Sequence, residues 1–402
     1  MRIKPLIVYP MDPLGNKIGG IQTYIKNFVK YSPDDFKIEF IGVTSDRDNR
    51  PVGKWQKISV CSKEIDFLPI LYVRDENVRT KMPLGLKFTF MLSRHKRQIN
   101  FKDTILSYNR IEPSLTLQGI HEKKVLVIHN NTMDILYNKL SEVKWRKLPM
   151  VYLQMEKRLI PQMNKVFVVR QDVVEFYQKK YPFMAHRFSF LPTWVDQETF
   201  SPFVSSIRLK QKSEFCKKNN CPIDTKLIIF VGRLEGQKDP MLLIDTFGHI
   251  NRNFPQSRLL IVGNGLLRKE TEQRVFQHGL TNFVSFYGNL QQNEVADLLK
   301  ISDTFLLTSA FEGMPRSVLE ALGCGLPVVS TDVGEVRRVV SDGISGLTCS
   351  EREPAIIGDA VLRVLKEDNF SAENCILSIQ DYTAKRILKK VYNAYYDLSE
   401  NK

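Results

Sequence analysis

Residues 304–335 read TFLLTSAFEGMPRSVLEALGCGLPVVSTDVGE: an apolar run, a polar loop, an amphipathic segment and a second apolar run. The strands predicted at 304–308 and 327–330, with a helix between them, are a βαβ unit of the kind found in parallel sheets covered on both faces. Gly313 and Pro315 stand where the helix should start, and proline suits a first helical turn because its missing N–H is one of the unpaired ones there. The N–H groups of Arg316, Ser317 and Val318 are expected to bind an anion at the positive end of the helix dipole, with Met314 and Pro315 in the same turn. Glu312 and Glu320, with seven residues between them in the loop and helix, flank that seat, and Glu320 falls near the face of Glu312 and Arg316. Carboxylates are good acceptors for paired hydroxyls, as on ribose or a sugar ring.

Working outward, the same alternation recurs. Strands are predicted at 6–9, 37–43, 104–108, 125–128, 166–169 and 188–191 in the first half, and at 227–232, 259–263 and 284–288 before the stretch above. Both halves are therefore α/β, each a doubly wound sheet. The segment from Gln197 to Pro222, rich in Ser, Pro and Lys, is the expected linker. The expected domains are 1–200 and 203–380, followed by a C-terminal helix over 381–402 that packs back on the first. Ligands sit beyond the carboxyl ends of strands in such sheets, so two domains facing each other would enclose a cleft.

Composition sets outer limits. A chain of 402 residues with 43% hydrophobic and 25% charged residues has the material for large cores, which excludes disordered and collagen-like classes. Apolar runs such as 227–232 and 259–263 fall far short of the roughly 20 residues that span a bilayer. The start, MRIKPLIVYP, reads as a first strand and not as a signal. Six scattered cysteines, Cys61, Cys216, Cys221, Cys324, Cys349 and Cys375, lack metal-ligand spacing and fit free thiols in a reducing cytosol. Residues 1–200 hold 33 Lys+Arg against 20 Asp+Glu, a net +13, whereas 201–402 hold 25 against 24. The first half is thus expected to face something anionic, or to carry its charge for solubility.

Further candidates lie at strand ends. In FVGRLEGQKDP (230–240), Arg233 and Lys238 follow a strand and can neutralise a diphosphate, unless the loop is merely a solvated basic one. Tyr287 and Gly288 close another strand. LLIVGNG at 259–265 lacks the third glycine and the acidic residue of a dinucleotide fingerprint. Gly19 and Gly20 open a helix after the first strand; they permit positive φ or close approach to a phosphate, or make a tight turn. His129 ends the strand at 125–128, as a cleft residue or a satisfied structural one.

Taken with ALGCGLPVVST at 321–331, the Glu312 and Glu320 pair resembles family 4 of the retaining glycosyltransferases, which have the GT-B fold of two Rossmann-like domains across a cleft. The resemblance covers most of the chain and is stronger after residue 225. It implies a nucleotide diphosphate sugar as donor and no separate cofactor or metal. It gives Glu312 the donor-sugar hydroxyls, Glu320 the ribose, Arg233 and Lys238 the diphosphate, and Tyr287 and Gly288 a place near the base. Gly19 and Gly20 would reach the donor phosphates, and His129 would lie near the donor sugar. Departures from the family pattern are Thr193 and Trp194, Arg170, Glu335 and Arg338.

The segments at 81–102 and 139–160 mix basic and apolar residues, fitting either an anionic leaflet or core packing. No nucleic-acid module is recognisable. The expected protein is a metal-independent, retaining hexosyltransferase of the cytoplasm and inner membrane face, passing sugar to a glycan or lipid-linked acceptor bound by the first half, in surface polysaccharide synthesis. Alternatives are a sugar-nucleotide epimerase or phosphorylase on the same fold, an inactive partner subunit, or a metal-dependent transferase using Asp46 and Asp48.

Overall fold

The structure is a computed structural model and describes residues 2–15, 19–76, 78, 82–129 and 144–400. Among them lie fourteen strands in two sheets, β1 to β14 in chain order. In the first unit these are β1 Pro5–Val8, β2 Glu39–Thr44, β3 Gln56–Val60, β4 Lys63–Tyr72, β5 Ile105–Tyr108, β6 Lys124–Ile128, β7 Lys165–Val168 and β8 Phe188–Phe190. In the second they are β9 Lys226–Val231, β10 Ser257–Val262, β11 Val284–Gly288, β12 Thr304–Leu307, β13 Val328–Thr331 and β14 Gly346–Cys349.

The first sheet runs β3-β4-β2-β1-β5-β6-β7-β8 and is parallel except for the β3–β4 pair. Its core gathers Leu6, Val8, Ile41, Leu106, Leu126 and Val166 under the helices. The second sheet runs β11-β10-β9-β12-β13-β14, all parallel, around Ile228, Phe230, Leu260, Phe305 and Val329. In each sheet the winding direction reverses beside the central strand, between β1 and β5 and between β9 and β12. Loops on either side of such a reversal part at the carboxyl ends and leave a crevice. Thus β9 delivers Arg233 and Lys238 to the place where β12 delivers Ser309 and Glu312.

One unit comprises the described residues up to Pro192 with the final helix Ala384–Glu400, and the other Thr193–Thr383. In the final helix, Tyr392 donates to the Phe28 carbonyl at 2.8 Å, Tyr395 to Ser107 at 2.8 Å and Tyr396 to Asp35 at 2.8 Å. The chain changes unit at Pro192/Thr193, before the linker expected between Gln197 and Pro222. Val195 and Phe200 are buried in the second core, and 205–218 is helical. That helix buries only Lys212 and Cys216, so its sequence shows no apolar stripe. It is held instead by Asp303, which accepts from Arg208 at 3.0 Å and from Lys212 at 2.6 Å.

Candidate active site

In the second unit, the loop after β9 folds onto the loop after β12. The Ala310 amide donates to the Gln237 carbonyl at 2.8 Å, and the Thr308 hydroxyl donates to the carbonyls of Lys238 and Asp239 at 3.1 and 3.2 Å. Asp239, at φ 46, caps the helix Pro240–Asn253 by accepting from the Leu242 amide, and also accepts from Arg352 at 2.5 Å. Arg352 donates in addition to the Thr308 carbonyl at 3.3 Å, tying both loops together.

These contacts bring Lys238 to Glu312. The ammonium lies 2.5 Å from Oε1 of Glu312, whose same oxygen accepts from the Ser309 hydroxyl at 2.7 Å. Gln237 donates to the other oxygen at 3.3 Å. Both charges are largely buried, at 15% and 8% side-chain exposure, and a buried charge stays in place only with such partners. Arg233 differs: its side chain is 60% exposed and meets Glu235 at 2.8 Å. The strand-end loops are closely packed. A Cβ on Gly263, at φ 128, would stand 2.0 Å from the Gly232 carbonyl oxygen, and one on Gly334, at φ 55, 2.1 Å from that of Gly313.

Glu320 lies on the helix Arg316–Gly323, only 8% exposed. No hydrogen bond or ion pair holds its carboxyl among the described residues. Burial pushes it up to about 7, opposed by Arg316 and Lys238 and reinforced by Asp196. A buried carboxyl that lacks internal donors is suited to accept from hydroxyls brought by a ligand.

Some expected seats are filled otherwise. Pro315 is the cap residue before the helix, not its first turn, and the Val318 amide donates to its carbonyl at 3.2 Å, so that amide is not offered to an anion. Met314 is buried, with its sulfur accepting from the Thr193 amide at 3.2 Å. Arg316 donates to the Trp194 carbonyl at 3.0 Å and lies over its ring. Burial raises the Tyr287 hydroxyl, with Cys221 and Arg258 in electrostatic reach, and no hydrogen bond among the described residues joins it to Glu312 or Glu320. Gly288, at φ 65, accepts from the Gly263 amide at 2.7 Å. Glu335 pairs with Arg338 and donates its amide to Gly313, bracing the Glu312 loop.

In the first unit, Gly19 caps and Gly20 opens the helix Gly20–Lys30. Gly19 is extended at φ 174, so neither glycine uses the left-handed region that its lack of a side chain permits. Nothing lies within 4 Å of a Cβ on Gly20, leaving room for close approach to its backbone. His129 follows β6, its Nε2 2.8 Å from Asn109 Oδ1 and its ring edge-on to Tyr24 at 5.1 Å. Tyr24 belongs to the same helix, so the glycine turn and His129 share one support. Asp46, an alternative metal ligand by sequence, instead closes its own turn by accepting from the Asn49 amide and side chain at 3.1 and 2.8 Å.

Sequence reasoning missed Ser309, Gln237, Asn109, Tyr24 and Arg352. Ser309 and Gln237 flank predicted residues closely, and that nearness was the available signal. Arg352, more than a hundred residues from Asp239, had none.

The glycosyl transferases group 1 family matches residues 211–377, which contain the Lys238, Glu312 and Glu320 cluster. The fold agrees. The chain has the GT-B fold of two solved structures. Sucrose-phosphate synthase of Thermosynechococcus elongatus superposes with TM-score 0.80 over 100% of both chains at 17% identity. Anabaena Alr3699/HepE, solved with UDP and glucose, gives 0.72 over 98% of this chain and 99% of that one, also at 17% identity. In sequence, the chain is 28% identical over 222 residues to the Escherichia coli UDP-Gal:alpha-D-GlcNAc-diphosphoundecaprenol alpha-1,3-galactosyltransferase, covering 54% of this chain and 56% of that protein. It is 25% identical over 217 residues to a D-inositol 3-phosphate glycosyltransferase of Xylanimonas cellulosilytica, covering 53% and 51%. The chain thus spans about half the length of the curated relatives it matches.

Proposed function

We propose that the protein is a glycosyltransferase that moves a hexose, with retention and without a metal, from a nucleotide diphosphate sugar held by the second unit to a glycan or lipid-linked acceptor held by the first. The acceptor is a precursor of surface polysaccharide at the inner face of a membrane, on which the protein is peripheral. The observation that carries this reading is Glu320: buried, without a partner among the described residues, and four residues after the start of a helix whose beginning adjoins the Lys238–Glu312 pair.

Glu320 takes the ribose hydroxyls, and Gly288 and Tyr287 border the base. Lys238 leaves Glu312 for the pyrophosphate, joined by Arg233 and the Ser317 amide, and the vacated Glu312 accepts from the sugar hydroxyls. The bond between the anomeric carbon and the phosphate oxygen breaks through an oxocarbenium-like state, stabilised as the cations gather the charge of the departing nucleotide. The acceptor oxygen bonds to the same face, and its proton passes to the departing phosphate oxygen. On the first unit, His129 and the Gly19–Gly20 turn are the groups assigned by this reading to the sugar and the phosphate. One relative is named for UDP-Gal and one structural neighbour was solved with UDP, which makes a uridine donor the first to try.

The test is thermal stabilisation by UDP-, GDP- and ADP-sugars. One nucleotide class should raise the melting temperature of the wild type, and Glu320→Ala should abolish the rise. Equal responses from both proteins would refute the site. Turnover that survives a chelator is expected; its loss, restored by added cation, would remove the metal-independent mechanism.

A further inference from the structure

We propose that the outer faces of the helices Leu84–His95 and Pro149–Leu159 form one docking surface for an anionic phospholipid leaflet. The inference rests on the proposed membrane-borne acceptor and says where on the first unit the membrane is met.

Helix Leu84–His95 is apolar on two sides. Gly85, Phe88 and Leu92 are buried against the sheet, while Met82, just before it, Leu86 and Phe90 are 53%, 38% and 58% exposed. Their spacing of four residues sets them in a stripe along the outer face. Core packing, the alternative for this segment, accounts for the inner side and leaves the stripe uncovered. At the second helix Leu148, Met150 and Val151 are 56%, 64% and 51% exposed. Both helices pack against the turn Glu112–Leu115, so the two patches flank one segment. Thr116 donates to the Thr89 carbonyl at 3.1 Å, and Trp145 to Glu112 at 2.9 Å.

Charge selects the occupant. Residues 82–102 contain no Asp or Glu, and the sole acid among 145–160, Glu156, is buried and engaged by Tyr177 and by Lys180 at 2.8 Å. Arg94, Arg97, Lys147, Lys157 and Arg158 are exposed and form no ion pair among the described residues. Arg94 lies over the Phe90 ring at 4.7 Å, so cation and apolar group share one spot. An apolar stripe rimmed by uncompensated cations matches an anionic headgroup layer above acyl chains. Two copies of this face set against each other would oppose like charges, which disfavours self-association as the occupant.

The experiment is co-sedimentation of the full chain with phosphatidylcholine vesicles, with and without phosphatidylglycerol. The wild type should bind only the mixed vesicles, less so as salt rises. Arg94→Glu with Arg97→Glu should weaken binding at least about thirtyfold, and Leu86→Ser with Phe90→Ser should also weaken it. Both variants should keep the donor-induced thermal shift, which shows them folded. Absent binding, equal binding to both vesicles, variants that bind like the wild type, or a dimer that Phe90→Ser dissociates would each overturn the proposal. A wild type that binds mixed vesicles but shows no donor shift would support the surface and sink the donor site.

Discussion

Glu320 makes the donor site sensitive to pH in a way that can be calculated. Burial holds its carboxyl near 7, whereas two hydroxyls donating one to each oxygen favour the ionised form. Binding must therefore displace a proton below neutrality. With a value of about 7, roughly one site in eleven is ionised at pH 6 and ten in eleven at pH 8, so donor affinity should rise about tenfold across that interval. An intact nucleotide diphosphate sugar is the right probe, because both its phosphates stay ionised throughout. Calorimetry in buffers of different ionisation enthalpy should also register proton release at pH 6. Glu320→Gln should bind roughly ten- to a hundredfold more weakly at pH 8, losing hydrogen bonds to a charged group, and its affinity should be flat with pH. The free protein carries the opposite slope. Because the folded value lies above the unfolded 4.5, stability falls as pH climbs from about 4.5 to about 7, by on the order of 3 kcal/mol. Glu320→Gln should thus raise the melting temperature of the unliganded protein at pH 8. Equal pH slopes in wild type and Glu320→Gln would refute the reasoning.

Other substitutions probe the surroundings. Lys238→Met removes one half of a buried pair and should destabilise the second unit by roughly 3 kcal/mol in urea titration, and it should lower kcat. Gly334→Ala sets a Cβ against the Gly313 carbonyl at a positive φ and should cost at least about 2 kcal/mol, read from the same midpoint. Arg352→Met, which frees Asp239 and Thr308 without touching Glu312, should reduce kcat roughly tenfold while leaving the donor-induced thermal shift present.

The parallel strands were legible because each is a short apolar run followed by a polar loop, and β1, β5, β9 and β12 lie within a residue or two of their expected places. The β3–β4 hairpin was not. Its two-residue turn is Cys61–Ser62 at φ 50 and 64, a left-handed geometry normally announced by Asn-Gly, and neither residue signals it. Strand β14 hid for another reason, being a four-residue GLTC beginning with a glycine whose Cβ would stand 2.0 Å from the Val328 carbonyl. At the site, Glu312 and Glu320 could be read because one loop and the helix it enters carry their spacing. The Lys238–Glu312 contact could not, since 74 residues separate the pair and only the adjacency of β9 and β12 unites them. Where Pro315 was expected to leave the next three amides open, a tight turn consumed that of Val318, a choice made by local geometry and not by residue type.

The position of Lys238 when a donor is bound tests the account most directly. A crystal of the protein with its nucleotide sugar should place the ammonium on a pyrophosphate oxygen, away from Glu312, with the ribose hydroxyls on Glu320. A bound donor that leaves the Lys238–Glu312 pair intact and Glu320 untouched would contradict it.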